Sequence, residues 1–243
     1  MQAVILAAGQ GKRLRPLTDS LPKCLVPVNG KPILQYQLEC LERCDIDHCV
    51  IVVGYRDDQL RHYFGPKFRN VHITYIYNKL FEQTNNIVSL WLACQELDDD
   101  VLLLEGDLLF EEDLLRDLTK SPYPDVAVVA EFQPSMNGTI ILADNGVATS
   151  MILKSEQGSD FDYRDALKTV NLYSLSQYTM HQRILPVLDR YVTSQLTDQY
   201  YEVVLAQLIA QGDWRLDVLL TKNRLWAEID TQEDLQQAER LFR

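Results

Sequence analysis

The chain has 243 residues, of which 47% are hydrophobic and 24% are charged, and its formal net charge is −12. This composition is typical of a globular protein, and the acidic charge argues against binding a nucleic-acid backbone, which requires a broad basic surface. No apolar run approaches the length of about eighteen residues that a membrane-spanning helix needs. The opening segment Met1–Leu6 has the pattern of a strand and lacks signal-peptide features, so a cytoplasmic protein is predicted.

Short apolar runs alternate with helical patterns across the first half of the chain. This alternation predicts an α/β fold, in which a mixed, mostly parallel, Rossmann-like sheet is flanked by helices. The predicted strands are Ala3–Ala7, Cys49–Val53, Ile73–Tyr77, Val101–Leu104 and Val126–Val129. The predicted helices lie near Ile33–Arg43, Asp57–Tyr63 and Asn86–Glu96.

The pattern changes after Pro134, where two short strands flank a turn that contains Asn145 and Gly146. An Asn-Gly pair tolerates positive φ, so this turn predicts a small β-hairpin insertion. The remaining predicted strands are Thr169–Leu175, Leu216–Leu220 and Leu225–Ile229, with helices near Gln177–Arg190, near Asp198–Gln211 and from Thr231. Since no linker or repeat interrupts the chain, residues 1–243 are predicted to form a single domain.

A glycine-containing loop follows the first strand and carries several cations. Gly9 and Gly11 allow the backbone to approach an anion, and successive N–H groups in such a loop bind phosphate oxygens. Lys12, Arg13 and Lys23 supply positive charge for a triphosphate. The spacing fits neither a P-loop nor a dinucleotide fingerprint, because glycines and a hydroxyl residue required by those motifs are missing.

The segment from Leu6 to Thr18, with Pro22 and Lys23 after it, resembles the signature of the sugar-phosphate nucleotidyltransferases. The similarity extends over nearly the whole chain and implies the nucleotide-diphospho-sugar transferase type of fold. It also implies a nucleotide-binding part at about 1–133 and an acceptor-binding part at about 134–243. In that family the loop wraps the triphosphate, and the arginine and second lysine, here Arg13 and Lys23, assist catalysis.

Two strands each end in an acidic residue, Asp107 after Val101–Leu104 and Asp230 after Leu225–Ile229. If the two strand ends meet, the carboxylates form a Mg²⁺ site, because Mg²⁺ takes one or two carboxylates together with phosphate oxygens. The alternative is that each aspartate caps the helix after it. The family resemblance places metal-binding aspartates at Asp107 and Asp230, with Asp107 also in the catalytic set.

The segment Glu82–Leu90 and the ending Trp226–Asp230 resemble the family branch that makes CDP-activated compounds, including bacterial choline-phosphate and 2-aminoethylphosphonate cytidylyltransferases. This implies CTP and a small phosphate- or phosphonate-bearing amine as partners. The predicted nucleotide-binding residues are Leu6, Ala7, Ala8, Gly9, Gly11, Lys12, Arg13, Lys23, Asn85, Asn86, Ser89, Glu105 and Asp107. Asn85, Asn86 and Ser89 could read a base edge, or the asparagines could cap the following helix.

A small ammonium group is held by aromatic faces and a carboxylate, and its phosphate by lysines. The predicted acceptor-binding residues are Lys154, Lys168, Tyr173, Tyr200, Tyr201, Glu202, Trp226 and Glu228. An alternative for the tyrosines is packing in the core. The segment Pro134–Thr139 lacks the tryptophan that choline-specific members place there, which argues against choline and leaves 2-aminoethylphosphonate or another small aminoalkyl phosphate open.

The predicted reaction is an in-line displacement in which an acceptor oxygen attacks the α-phosphorus of CTP and pyrophosphate leaves. Two other functions stay open, a hexose-1-phosphate uridylyl- or thymidylyltransferase and a non-catalytic nucleotide-sensing module. The sequence does not define the oligomeric state, and a homodimer is one option.

Overall fold

The computed structural model describes residues 1–243. Fourteen strands and eight helices follow one another along the chain. The strands are β1 Gln2–Ala7, β2 Pro27–Val28, β3 Lys31–Pro32, β4 His48–Val53, β5 Lys67–Phe68, β6 Val71–Tyr77, β7 Val101–Glu105, β8 Leu108–Phe110, β9 Val126–Glu131, β10 Ile140–Asp144, β11 Val147–Ile152, β12 Leu167–Leu175, β13 Asp217–Leu220 and β14 Trp226–Glu228. The helices are α1 Ile33–Arg43, α2 Asp57–Phe64, α3 Asn86–Ala93, α4 Glu112–Thr119, α5 Gln177–Thr179, α6 Leu185–Thr193, α7 Glu202–Gln211 and α8 Gln232–Leu241.

Ten strands form one mixed sheet in the order β10-β11-β13-β9-β12-β7-β1-β4-β6-β5. Strands β7, β1, β4 and β6 are parallel, and β12 is inserted antiparallel between β7 and β9. Strand β13 is again parallel to β9, so the predicted mixed, mostly parallel sheet is confirmed. The hairpin β10–β11 is also present, and it joins the sheet at its edge.

The two faces of the sheet bury separate cores, because successive residues of a strand point to opposite faces. In β1, Val4 and Leu6 pack on the face covered by α3, α6 and α7. Ala3, Ile5 and Ala7 pack on the opposite face, which is covered by α1, α2 and α4. With helices on both faces, every residue of β1 is buried. No helix is both long and apolar enough to span a membrane.

Two elements near the middle of the chain were not predicted, the three-residue strand β8 and the helix α4. Strand β8 is too short to show a periodicity of its own, whereas Leu114, Leu115 and Leu118 give α4 a buried stripe. The helix predicted at Gln177–Arg190 is interrupted by a π-turn at Met180–Ile184, just before Pro186, whose ring nitrogen has no proton to donate.

Strand β1 lies where the strand order reverses. The chain adds β4 and then β6 on one side of β1 and afterwards places β7 on the other side. In open α/β sheets, ligands bind beyond the carboxyl ends of the strands at such a reversal. The loop after β1 and the residues after β7 therefore lie where a ligand-binding crevice is expected.

Candidate active site

A cavity of about 770 Å³ opens at the carboxyl ends of β1 and β7. Nineteen of the predicted site residues line it: Leu6, Ala7, Ala8, Gly9, Gly11, Lys12, Arg13, Lys23, Asn85, Asn86, Ser89, Glu105, Asp107, Lys154, Lys168, Tyr200, Glu202, Glu228 and Asp230. The structure thus brings residues from both halves of the chain to one crevice.

The loop after β1 turns through Gly11, which has φ of +61°. A Cβ atom at Gly11 would lie 2.9 Å from Cβ of Lys23, so glycine is required by both the backbone angle and the space. The Thr18 hydroxyl donates to the Gly11 carbonyl at 2.8 Å and holds the turn. This packing positions Lys23 against the loop.

Lys23 lies between the two predicted metal-binding aspartates. Its Nζ is 2.5 Å from Oδ2 of Asp107 and 2.6 Å from Oδ1 of Asp230, and Arg13 contacts Asp230 at 2.7 Å. Burial acts to lower the pKa of Lys23, but the two negative charges outweigh it and leave the pKa above its usual value. Lys23 is therefore a permanent cation in the present arrangement.

The two aspartates meet because strand β14 pairs with β8. Glu228 is opposite Leu108, and the Ile229 amide donates to the Asp107 carbonyl at 3.0 Å. This short ladder joins residues that are more than one hundred positions apart in sequence. Asp107 and Asp230 thus lie on either side of the Lys23 ammonium, and the predicted Mg²⁺ site at the two aspartates stays a prediction.

Helix capping explains neither aspartate. Asp107 precedes strand β8 rather than a helix, and Thr231 caps α8 by accepting a hydrogen bond from the Asp234 amide. The Asp234 carboxylate accepts in return from the Thr231 amide at 2.8 Å, which completes a capping box at the start of α8. Both aspartates are left to interact with the cations of the cavity.

The carboxylates of Glu105, Asp107 and Glu228 lie within 4.8 Å of one another. Oδ1 of Asp107 is buried without a hydrogen-bond partner, although such atoms are costly to leave unsatisfied. Burial and the charge of Asp107 raise the pKa of Glu105 well above its usual value. These oxygen ligands fit a divalent cation, and the cluster includes Glu105 and Glu228 in addition to the predicted Asp107.

Two asparagines before and at the start of α3 join the two halves of the chain. The Asn85 side chain donates to the Asp198 carbonyl at 3.1 Å, and Asn86 accepts from the Tyr201 amide at 2.8 Å. Asn86 also donates to Glu105 at 3.1 Å. Neither side chain caps α3, so the predicted alternative of capping is wrong, and both amides bond to the chain itself.

The far side of the cavity contains a buried lysine and two further carboxylates. Lys168 is 2% exposed and bonds to the Thr169 carbonyl at 2.7 Å and to Glu228 at 3.2 Å. Glu202 is the first residue of α7, and burial raises its pKa to about 7. Burial also raises the pKa of Glu228.

Three predicted acceptor-binding residues do not line the cavity: Tyr173, Tyr201 and Trp226. Tyr173 and Tyr201 are fully buried and pack against each other with ring centroids 6.1 Å apart, so the alternative of core packing is correct for them. Trp226 pairs with Phe110 and packs on the core under α1 and α4. Their aromatic faces are therefore unavailable to a ligand in the cavity.

Several lining residues were not predicted, among them Gln10, Asn78, Phe81, Gly106, Asn137 and Asn171. Asn171 has φ of +59° inside β12, where the register with β9 shifts, and an unusual backbone angle within a strand often marks a functional site. A Cβ atom at Gly106, the residue after β7, would lie 2.9 Å from Cβ of Ala7, so only glycine lets the chain pass this close to the end of β1. The sequence motif around Asp107 could have identified Gly106, whereas nothing in the sequence indicated the backbone angle of Asn171.

Cys24 also lines the cavity but lacks the properties of a nucleophile. Burial raises the pKa of its thiol to about 12, so the thiolate is absent at neutral pH. No serine, histidine and aspartate set stands in its place, and the side chains at the site are suited to binding and charge stabilisation.

Known proteins share the sequence pattern and the fold of this chain. The family model of the MobA-like NTP transferase domain matches residues 3–243. CMP-5'-(3-aminopropyl)phosphonate synthase of Streptomyces rubellomurinus is 35% identical, and the match covers 100% of this chain and 39% of that protein. A UTP–glucose-1-phosphate uridylyltransferase of Haloferax volcanii is 31% identical over 98% of this chain and 99% of its own length. CTP:phosphocholine cytidylyltransferase from Streptococcus pneumoniae has the same fold, with a TM-score of 0.79, 25% identity, and coverage of 100% and 99%.

Proposed function

Since the chain belongs to the MobA-like NTP transferase family and is a nucleotidyltransferase, we propose that it transfers CMP from CTP to a small phosphate- or phosphonate-bearing amine. Pyrophosphate is the second product. The relatives support this choice, because one is named for a CMP-aminopropylphosphonate and another for CTP and phosphocholine. The observation that carries the proposal is the contact of Lys23 with both Asp107 and Asp230 beside the glycine loop.

In the proposed reaction, an anionic oxygen of the acceptor attacks the α-phosphorus of CTP. A new P–O bond forms there, and the bond from the α-phosphorus to the bridging oxygen of pyrophosphate breaks. The attacking oxygen is already deprotonated, so no protein nucleophile is needed. The protein contributes orientation and charge stabilisation, which are the main sources of rate in phosphoryl-transfer enzymes.

The chain's own residues divide this work between them. Backbone amides of the loop from Gly9 to Lys12 bind the triphosphate, and Arg13 and Lys23 stabilise the charge that develops on the leaving pyrophosphate. Asp107 and Asp230 would hold Mg²⁺, with Glu105 and Glu228 close to Asp107. A bound Mg²⁺ would supply positive charge to neutralise the phosphates. Lys168 and Lys154 remain proposed contacts for the acceptor.

The test is a nucleotide panel assayed by pyrophosphate release, with aminoalkyl phosphates, aminoalkyl phosphonates and hexose 1-phosphates as acceptors. We expect CTP to exceed UTP, dTTP, ATP and GTP in kcat/KM by more than ~10-fold, and EDTA to abolish turnover. Full turnover in EDTA would refute the metal requirement.

The uridylyltransferase relative makes a hexose-1-phosphate uridylyltransferase the second candidate. Faster turnover of UTP or dTTP with a hexose 1-phosphate would favour it. Binding of CTP without pyrophosphate release from any acceptor would instead indicate a non-catalytic nucleotide-sensing module.

A further inference from the structure

The acceptor side of the cavity contains one carboxylate without a counter-charge of its own. Glu202 lines the cavity and is 6% exposed, and its Oε2 atom is buried without any hydrogen-bond partner. A buried carboxylate oxygen in that condition carries a full desolvation cost. Because Glu202 lines the cavity and its oxygen lacks a partner, we expect the bound ligand to carry a group that donates hydrogen bonds to it.

The surrounding charges indicate that this group is a cation. The buried lysine on this side, Lys168, places its ammonium on Glu228 and on the Thr169 carbonyl. Glu202 therefore has no ammonium in contact. It is also outside the set of three carboxylates, Glu105, Asp107 and Glu228, that lie close enough to share a metal ion. A metal ion held by that set would leave Glu202 uncompensated.

The protonation behaviour of Glu202 agrees with a missing cation. Burial raises its pKa to about 7, although its own backbone amide, the charge of Lys168 and the Thr139 hydroxyl all favour the ionised form. A carboxylate that pays this cost in the free protein gains more from an added positive charge than an exposed one does.

We propose that the acceptor is a phosphate monoester or a phosphonate that bears a primary ammonium, and that Glu202 is the specificity-determining residue that accepts hydrogen bonds from this ammonium. The inference rests on the proposed function and narrows its acceptor. The acceptor's anionic group points towards the α-phosphate of CTP, and its ammonium points towards Glu202.

The cavity suits a primary ammonium better than a trimethylammonium group. A quaternary cation has no N–H to donate and is recognised through aromatic faces that surround it. Of the predicted aromatic residues, Tyr173, Tyr201 and Trp226 are outside the cavity, and Tyr200 lines it while half-exposed. Phe81 lines it as well, so two rings are present together with an unsatisfied carboxylate. The Glu202 carboxylate can therefore accept a hydrogen bond from an ammonium N–H, whereas an aromatic cage that would enclose a trimethylammonium group is absent.

The experiment measures kcat and KM with CTP and Mg²⁺ for five acceptors: ethanolamine phosphate, 2-aminoethylphosphonate, 3-aminopropylphosphonate, choline phosphate and propyl phosphate. For the wild-type protein we expect kcat/KM for the best primary amine to exceed that for choline phosphate and for propyl phosphate by at least ~10-fold. Glu202→Gln should raise KM for that amine by ~10- to 100-fold, with kcat changed far less, because a charge-assisted hydrogen bond in binding is lost.

Glu233→Gln is the matched control, since Glu233 is exposed on α8 and outside the cavity. Its kinetic constants should equal those of the wild type. The affinity of the Glu202→Gln variant for CTP, measured by calorimetry, should equal that of the wild type. An unchanged affinity shows that the variant is folded.

The outcomes separate the two proposals. Equal or better use of choline phosphate, or an unchanged KM for the amine in Glu202→Gln, overturns the primary-ammonium inference while cytidylyl transfer stands. Turnover of CTP with none of the five acceptors overturns the proposed function and the inference with it.

Discussion

The two ends of the cavity balance their charges differently. At the end next to β1, Lys23 contacts Asp107 and Asp230, and Arg13 contacts Asp230, so opposite charges are paired at 2.5 to 2.7 Å. At the other end, Lys168 forms an ion pair with Glu228, and the Oε2 atom of Glu202 has no hydrogen-bond partner. The first end has its charges paired before any ligand binds, whereas the second becomes balanced only when a cationic ligand arrives. Catalytic charge stabilisation requires the former, and selection of one acceptor is favoured by the latter.

Removing the Asp107 charge, at the end of the cavity where the charges are paired, should have the largest effect. We expect Asp107→Asn to lower kcat by more than ~1,000-fold, because the side chain keeps its shape but no longer binds a divalent cation. The secondary structure should survive, as measured by circular dichroism. Turnover within tenfold of the wild type, measured by pyrophosphate release, would remove Asp107 from the metal site.

Removing the cation of the same pair should have a smaller effect on rate and a diagnostic effect on stability. We expect Lys23→Ala to lower kcat by about 100-fold, because one charged contact to the phosphates is lost. Asp107 and Asp230 then face each other without the ammonium, so Mg²⁺ alone should raise the Tm of the variant more than that of the wild type. Thermal melts with and without Mg²⁺ measure this difference, and equal Mg²⁺ shifts would show that the ammonium and the metal occupy different places.

Replacing Glu202, at the end of the cavity where the charges are not balanced, should have the smallest effect, and that effect is on the free energy of unfolding. The folded pKa of Glu202, about 7, is above the usual value of 4.5, so the native state holds this proton more tightly than the unfolded chain does. The stability cost of Glu202 is therefore absent below pH 4.5, grows as pH rises through that window, and is complete above pH 7. We expect Glu202→Gln to increase the free energy of unfolding by ~1–3 kcal/mol at pH 8 and to change it little at pH 4.5. Urea denaturation at the two pH values measures this, and an equal change at both would contradict the raised pKa.

The sequence predicted most of the sheet because its strands are short apolar runs with clear limits. The elements from Ala3 to Val129 were found to within a few residues, apart from β8 and α4 and the short strands β2, β3 and β5. The insertion of β12 between β7 and β9 could not be predicted, because strand order depends on long-range packing rather than on local pattern.

The predicted site shows the same division between local and long-range information. The glycine loop and its cations are adjacent in sequence, so their clustering could be anticipated. Tyr200 and Tyr201 are neighbours with similar chemistry, yet Tyr200 lines the cavity and Tyr201 is fully buried beneath it. Tyr201 is the residue directly before α7, and composition alone does not reveal which of the two rings lines the cavity. Tyr173 and Trp226 were also predicted in the acceptor site from their chemistry, but Tyr173 is buried in the core and Trp226 is half-buried against it.

The ladder between β14 and β8 has a consequence for the order in which the protein matures. When the ribosome has synthesised the chain as far as Leu225, the glycine loop and Asp107 are already made, but Asp230 is not. The nascent chain can build most of the parallel sheet while its reaction centre lacks one carboxylate. The proposed site is therefore completed only when β14 pairs with β8, and a chain that ends before β14 should lack activity.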